Sequence, residues 1–258
     1  MSTTSYLRND SENQILAREE KTYDTTGTIR RKRTVAEIEV LKRKSAAHEF
    51  ISHLPAEPTL PDVEPYIPQL LSGAIFCGHL MTDLDSIAGA IGAAELYGGT
   101  AARASEVNPE TEFALNLFNV PKPPPIEELL VSMPTAGVCL VDHQQTSQIN
   151  KSIDVDRIVG VIDHHALQNA TIITDKPIYI DIRPWGSMST IITHIFMTLK
   201  RRPTKSTAGM LLCAILSDTL NLQGPTTTDW DRLMVTVLVE IADVRLHTTI
   251  LHFYYKFI

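Results

Sequence analysis

Aspartate and histidine gather at four places in this 258-residue sequence, and each place closes an apolar run. The first is Gly78-His79-Leu80-Met81-Thr82-Asp83-Leu84-Asp85-Ser86, which follows Ala74-Ile75-Phe76-Cys77. Asp83 and Asp85 are two positions apart, so an extended or loop backbone can aim both at one cation. The stretch from Ile87 to Ala94 is rich in small residues and predicts a helix packed tightly on a sheet. Asp85 or Ser86 stands at its N-terminal end, which also favours an anionic ligand. A capped turn accounts for one of these aspartates, but not for two and a histidine. The second place is Val141-Asp142-His143, after Gly137-Val138-Cys139-Leu140. The third is Asp163-His164-His165, after Ile158-Val159-Gly160-Val161-Ile162. The fourth is Ser217-Asp218-Thr219, where a helical pattern from Met210 to Leu216 finishes on an acid. An aspartate there opposes the helix dipole, and a nearby cation explains it.

Buried, unpaired ionisable groups are costly, so such clusters call for a metal or for charged partners. One histidine alone would be an ordinary satisfied core residue. A His-His pair with two further acid/His clusters points to ligands. Nitrogen and oxygen donors without cysteine suit a hard or borderline divalent ion: manganese first, with magnesium, cobalt or zinc as competitors. Two such ions about 3.5–4 Å apart, bridged by a carboxylate and a water, form a device for phosphoester or phosphoanhydride hydrolysis.

These residues need a scaffold that brings distant segments to one rim. After Pro68 short apolar runs alternate with helical patterns over 85–98, 109–119, 186–200, 206–220 and 229–242. Strands interleaved with helices predict an α/β fold with a mainly parallel sheet flanked by helices. In open sheets of this kind ligands bind at the carboxyl ends of the strands. Residues 1–68 read as an extension: a polar, partly basic segment expected to be disordered, a helix from a Thr34–Glu37 capping box, and a linker holding Pro55, Pro58, Pro61, Pro65 and Pro68. The cluster Arg30-Arg31-Lys32-Arg33 is read as a solvated run, with import or anionic-surface binding as the alternative. The metal-binding domain is assigned to 69–245 and a tail to 246–258.

The formal net charge is -7. Residues 1–60 hold 10 Lys/Arg against 9 Asp/Glu, and 61–258 hold 13 against 21. The acidic excess in the folding part speaks against nucleic-acid binding and fits clustered metal ligands. Cys77, Cys139 and Cys213 sit in apolar runs without metal-ligand spacing and read as buried thiols in a reducing compartment. No apolar stretch reaches a membrane span, and the first residues lack a secretory core, so a cytoplasmic protein is expected.

Taken in order, GHLMTDLDS, VDHQQ, VIDHH and AILSDT resemble the four motifs of the Asp-His-His (DHH) phosphoesterase superfamily, and within it the manganese-dependent (family II) inorganic pyrophosphatases. Further likeness lies in Ala104–Leu115, Arg183–Ile192 and Asp218–Asp229. The resemblance implies that His79 and Asp83 bind one Mn2+, that Asp85, His164 and Asp218 bind the other, and that Asp142 bridges both. It gives His165 the substrate phosphate, and makes Asp163 and His143 supports behind the ligands, with Asp163 orienting an imidazole. Asp85, Asp142 and His165 are then the catalytic set, pyrophosphate the substrate, and a homodimer through a sheet edge the expected assembly. Exopolyphosphatase or nucleotide phosphodiesterase activity is the alternative in the same chemistry. A catalytically impaired metal-binding interaction module is the alternative from another class. The family's second, DHHA2-type C-terminal domain supplies Lys and Arg to the substrate, and the expectation is that it is missing here. Three departures stand out: Thr82 in place of a usual proline, Gln144-Gln145 in place of Asn-Glu, and Leu222-Gln223-Gly224 in place of a Phe-Lys-Ser-like triplet.

Overall fold

The computed structural model describes residues 21–23, 29–31, 35–56 and 68–244. Two units separate, Met1–Lys44 and Ser45–Ile258. In the first, strands β1 (Lys21–Tyr23) and β2 (Ile29–Arg31) pair antiparallel, at a place where the composition alone predicts no regular structure. Helix α1 runs Val35–Ser52. Thr34 of the expected capping box, Lys32 and Arg33 of the basic run, most of the proline-rich linker and the 246–258 tail lie outside the described residues.

The second unit is built on five parallel strands: β3 (Ile75–Cys77), β4 (Thr100–Ala102), β5 (Val138–Val141), β6 (Ile158–Asp163) and β7 (Tyr179–Ile182). Their order across the sheet is β4-β3-β5-β6-β7. The chain leaves β3 for β4 on one side and returns to place β5 on the other. That reversal opens a crevice beyond the carboxyl ends of β3 and β5, where doubly wound sheets of this strand order bind their ligands.

Side-chain alternation divides the sheet into two apolar faces. Phe76, Cys139, Val141 and Ile162 enter one core, and Ile75, Cys77, Val138, Leu140 and Val161 enter the other. The first core is covered by α2 (Leu84–Tyr97), α3 (Pro109–Leu117), α5 (Met188–Thr198), α6 (Lys205–Asp218) and α7 (Asp229–Ala242). The second is covered by α4 (Ile126–Ser132) together with Ile149 and Ile153 of a loop. Small residues let α2 sink between its neighbours. A Cβ on Gly92 would stand 2.9 Å from Ile192 Cγ2 and 3.0 Å from Leu211 Cδ2, so α5 and α6 both press on the bare backbone. Gly98, at φ 72°, ends α2 in the left-handed conformation that glycine takes without cost. The three cysteines are buried free thiols. Burial pushes those of Cys77 and Cys213 up to about 12, and that of Cys139 upward as well. Among the described residues no helix is long and apolar enough to cross a membrane.

Candidate metal centre

Each ligand candidate is delivered by the end of an element. Beyond β3 the chain turns at Gly78 and presents His79, and Asp83 then caps α2. One carboxylate oxygen of Asp83 accepts from Ser86 N at 2.9 Å, while the other lies 3.4 Å from His79 Nε2. The capping role therefore falls to Asp83, and Asp85 lies in the first turn of the helix. The loop between them is braced by Thr82, the residue in the usual proline position. Its hydroxyl donates to His79 C=O at 3.0 Å and meets the Ser105 backbone N at 3.1 Å. A hydroxyl thus supplies by hydrogen bonding the rigidity that a ring supplies covalently.

Asp142 follows β5 with φ 65°, a left-handed conformation that aspartate tolerates better than most residues. The turn drops its carboxylate into the crevice, almost fully buried. Its two oxygens face different ways. Oδ2 lies 3.3 Å from His79 Nε2 and accepts from Ser86 Oγ at 3.1 Å, whereas Oδ1 lies 3.2 Å from His164 Nε2.

At the end of β6, Asp163 shapes the Asp-His-His turn. Its Oδ1 accepts from the backbone N of His164 at 2.7 Å, the backbone N of His165 at 3.1 Å and His165 Nδ1 at 2.8 Å. Its support therefore goes to His165 rather than to the His164 ring. The His164 ring is held by Trp185 C=O, 3.0 Å from Nδ1. A carbonyl only accepts, so Nδ1 carries the proton and Nε2 is turned toward the acids. That atom lies 3.9 Å from Asp85 Oδ2 and 3.7 Å from Asp218 Oδ2. Asp85 itself sits on the N-terminus of α5, taking Ser187 Oγ (2.9 Å), Met188 N (2.7 Å) and Ser189 N (3.0 Å).

Among the described residues three groups of donor atoms result, each within 4.8 Å of one another: His79–Asp83–Asp142, Asp85–His164–Asp218 and Asp142–His164–His165. Adjacent ligands on a six-coordinate ion with bonds of about 2.1 Å lie about 3 Å apart and opposite ones about 4 Å. The observed 3.2–3.9 Å separations span that range. Asp142 Oδ1 and His164 Nε2 are buried without a hydrogen-bond partner, as atoms reserved for a cation are. The residues present therefore fit a pair of divalent ions.

Electrostatics agree with that fit. Burial disfavours the charged form of His79, but Asp142 and Asp83 outweigh it and raise its pKa to about 10. His164, likewise buried, is raised to about 9 by Asp142 and Asp85. Burial acts against the Asp142 carboxylate, yet His164 and His79 hold it well below the usual range. Asp218 is pushed far up by burial and by the charges of Asp85 and Asp142. Asp85 is raised by burial and by Asp142. Imidazolium protons thus stand where positive charge is needed.

His165 is half exposed at the mouth, raised by its bond to Asp163. His143 is buried, its Nδ1 against Val141 C=O at 2.9 Å and its ring edge-on to His79 at 6.1 Å. It joins none of the three groups, and burial lowers its pKa. Beyond Asp218, Leu220, Asn221 and Leu222 all have positive φ (48°, 56° and 64°), a left-handed turn at the segment that departs from the family pattern. Sequence reasoning placed Ser86 only as a possible helix start and assigned no role to Trp185 C=O, to Ser187 or to Asp231. The signal for Ser187 is a cap residue opening a helical run. For Asp231 it is the Thr-x-x-Asp spacing from Thr228.

The family profile "DHH family, N-terminal domain" matches residues 74–215. The manganese-dependent inorganic pyrophosphatase of Methanocaldococcus jannaschii is 37% identical over 175 residues, covering 65% of this chain and 55% of that protein. A Listeria innocua protein bearing the name probable manganese-dependent inorganic pyrophosphatase is 38% identical over 172 residues, with coverages of 65% and 54%. Among solved structures, one from Methanococcus jannaschii assigned as a family II inorganic pyrophosphatase superposes with a TM-score of 0.61 at 35% identity, covering 70% of this chain and 59% of that one. An exopolyphosphatase-related protein from Bacteroides fragilis shares the fold at a TM-score of 0.55 and 10% identity, covering 84% and 61%. The chain spans about half the length of the curated relatives it matches.

Proposed function

Because this chain belongs to the DHH family, we propose that it hydrolyses inorganic pyrophosphate to two phosphates at a pair of Mn2+ ions. The observation that carries the reading is Asp142: a single buried carboxylate directs one oxygen to His79 and the other to His164, at 3.3 and 3.2 Å. In this reading His79 and Asp83 hold one ion, Asp85, His164 and Asp218 the other, and Asp142 both. Such a pair of ions supplies a more acidic water and offsets charge on the phosphoryl oxygens. The chain's own groups do the rest. Ser86 fixes the tilt of Asp142, and Trp185 C=O fixes the His164 tautomer. Asp163 holds His165 at the open side and shifts it toward its protonated form, which can pair with a phosphate oxygen and pass a proton to the leaving group.

The same reading assigns 69–245 as the metal-binding domain, preceded by an extension over 1–68 and followed by a tail over 246–258. It puts the protein in the cytoplasm, as a homodimer joined at an edge of the sheet, where β4 and β7 are the outer strands, and without nucleic-acid partners. Magnesium or cobalt would substitute for manganese less well. The test is phosphate release from pyrophosphate with and without Mn2+, with short polyphosphate and dinucleotides in competition. Release that needs Mn2+ and prefers pyrophosphate is expected. A chain that binds both ions and cleaves only polyphosphate or dinucleotides overturns the substrate assignment, and one that cleaves none of them overturns the hydrolase reading.

A further inference from the structure

Two of the three members of the Asp85–His164–Asp218 group, Asp85 and His164, are held by one short strap, Trp185–Ser189. Its first carbonyl fixes the His164 ring, and its last three residues, Ser187, Met188 and Ser189, give Asp85 all three of its bonds to the strap. Nothing in the strap bonds to His79 or Asp83. The strap in turn is pinned from behind by Asp231, whose carboxylate is fully buried. Gly186 N lies 3.1 Å from both of its oxygens, and Thr190 Oγ1 donates to Oδ1 at 2.6 Å. On the other side Thr228 N and Oγ1 donate to Oδ2, each at 2.6 Å. A cap for α7 requires only the Thr228 side. The bonds to Gly186 and Thr190 reach across to α5 and exceed what capping needs.

Space is as tight as the bonding. A Cβ on Gly186 would fall 2.7 Å from Thr219 Cγ2 and 2.8 Å from Asp231 Oδ2, so the carboxylate seats directly on the strap's peptide. Thr219 follows Asp218, the third member of the same group. Trp185 is stacked on Trp230 with ring centres 5.2 Å apart, which fixes the outer end of the strap to the residue beside Asp231.

We propose that Asp231 is a positioning residue for the Asp85–His164–Asp218 cation site alone, acting through Gly186 and Thr190. The inference rests on the two-ion reading above. A buried carboxylate that binds no ion sets the angle of two ligands that do, and the His79–Asp83 side is independent of it.

The experiment is a calorimetric Mn2+ titration of the wild-type chain, D83N, D218N and D231N. The two reference variants each weaken one site and so label the two binding steps. The fluorescence of Trp185 and Trp230, the chain's two tryptophans, monitors native packing. Outer supports of metal ligands are worth about 10–100-fold in affinity. D231N is expected to weaken the step that D218N weakens by about tenfold, and to change the step that D83N weakens by less than about threefold. Equal weakening of both steps, or of neither, overturns the proposal. Should D231N lose native fluorescence, Thr190→Val decides: it keeps the side-chain shape, removes one donor to Asp231 and is expected to shift the same step in the same direction. A wild-type chain that takes up fewer than two ions defeats the two-ion reading instead, so the two failures are distinct.

Discussion

Replacing Asp142 with asparagine separates the two halves of the site, and the geometry says which half fails. The carboxylate gives each imidazole one oxygen, whereas the amide has only one to give. Ser86 Oγ donates to Oδ2 and so favours an acceptor there, which leaves the carbonyl on the His79 side. The amide nitrogen then faces His164 Nε2. With the Asp142 charge gone the His164 ring loses its proton more readily, and the neutral ring accepts from the amide because Nδ1 already donates to Trp185 C=O. The Asp85–His164–Asp218 site thus loses an anionic ligand and finds its imidazole occupied. Removing one partner from a buried charged cluster costs about 3–5 kcal/mol. At about 1.4 kcal/mol per tenfold, that is roughly two to three and a half orders of magnitude in the second ion's binding constant. The first ion keeps a carbonyl oxygen and weakens less. Isothermal titration of D142N with Mn2+ should show one retained step and one lost step. Two retained steps with wild-type affinities would refute the bridging assignment, and loss of the His79 step alone would refute the orientation argument.

Other consequences follow from the same coordinates. His165→Gln should leave both Mn2+ steps intact and lower pyrophosphate turnover by about 10²–10⁴-fold, the usual worth of a positioned proton donor, as read by steady-state kinetics. Mn2+ affinity should rise with pH between 7 and about 9–10. His79 and His164 are raised to about 10 and 9, must be neutral to bind an ion, and so release protons that calorimetry in two buffers will count. The stability these raised histidines give the ion-free fold runs the other way: it is full below their unfolded pKa of about 6.5 and lost as pH rises through 9 and 10, as denaturation at several pH values will show. Gly92→Val should destabilise the ion-free protein by about 2–3 kcal/mol, because the new side chain meets Ile192 and Leu211 at under about 3 Å, and thermal unfolding will report it.

Much of the site was legible because its residues are rare types at the ends of apolar runs. His79, Asp142 and His164 each close a strand-like run, and a strand's end is where a parallel sheet opens. The helix boundaries of α2, α5, α6 and α7 were legible from apolar periodicity to within about two residues. Strand β4 was not, since Thr100-Ala101-Ala102 carries no alternation and is a strand only because Gly99 lets it lie against β3. Helix α4 is seven residues long and too short for its period to stand out. The supports escaped for a different reason. Trp185 acts through its backbone carbonyl, which any residue has, and Asp231 lies 66 positions after His165 in the chain, so only the folded path reveals that it braces Gly186.

The most direct measurement is electron paramagnetic resonance of the wild-type chain as Mn2+ is added to two equivalents. Two ions sharing Asp142 are exchange-coupled, so the hyperfine pattern of isolated Mn2+ should fade as the second equivalent binds and return in D142N. Two equivalents bound with the isolated-ion pattern undiminished would mean the ions do not share a ligand, and the account of this site would be wrong.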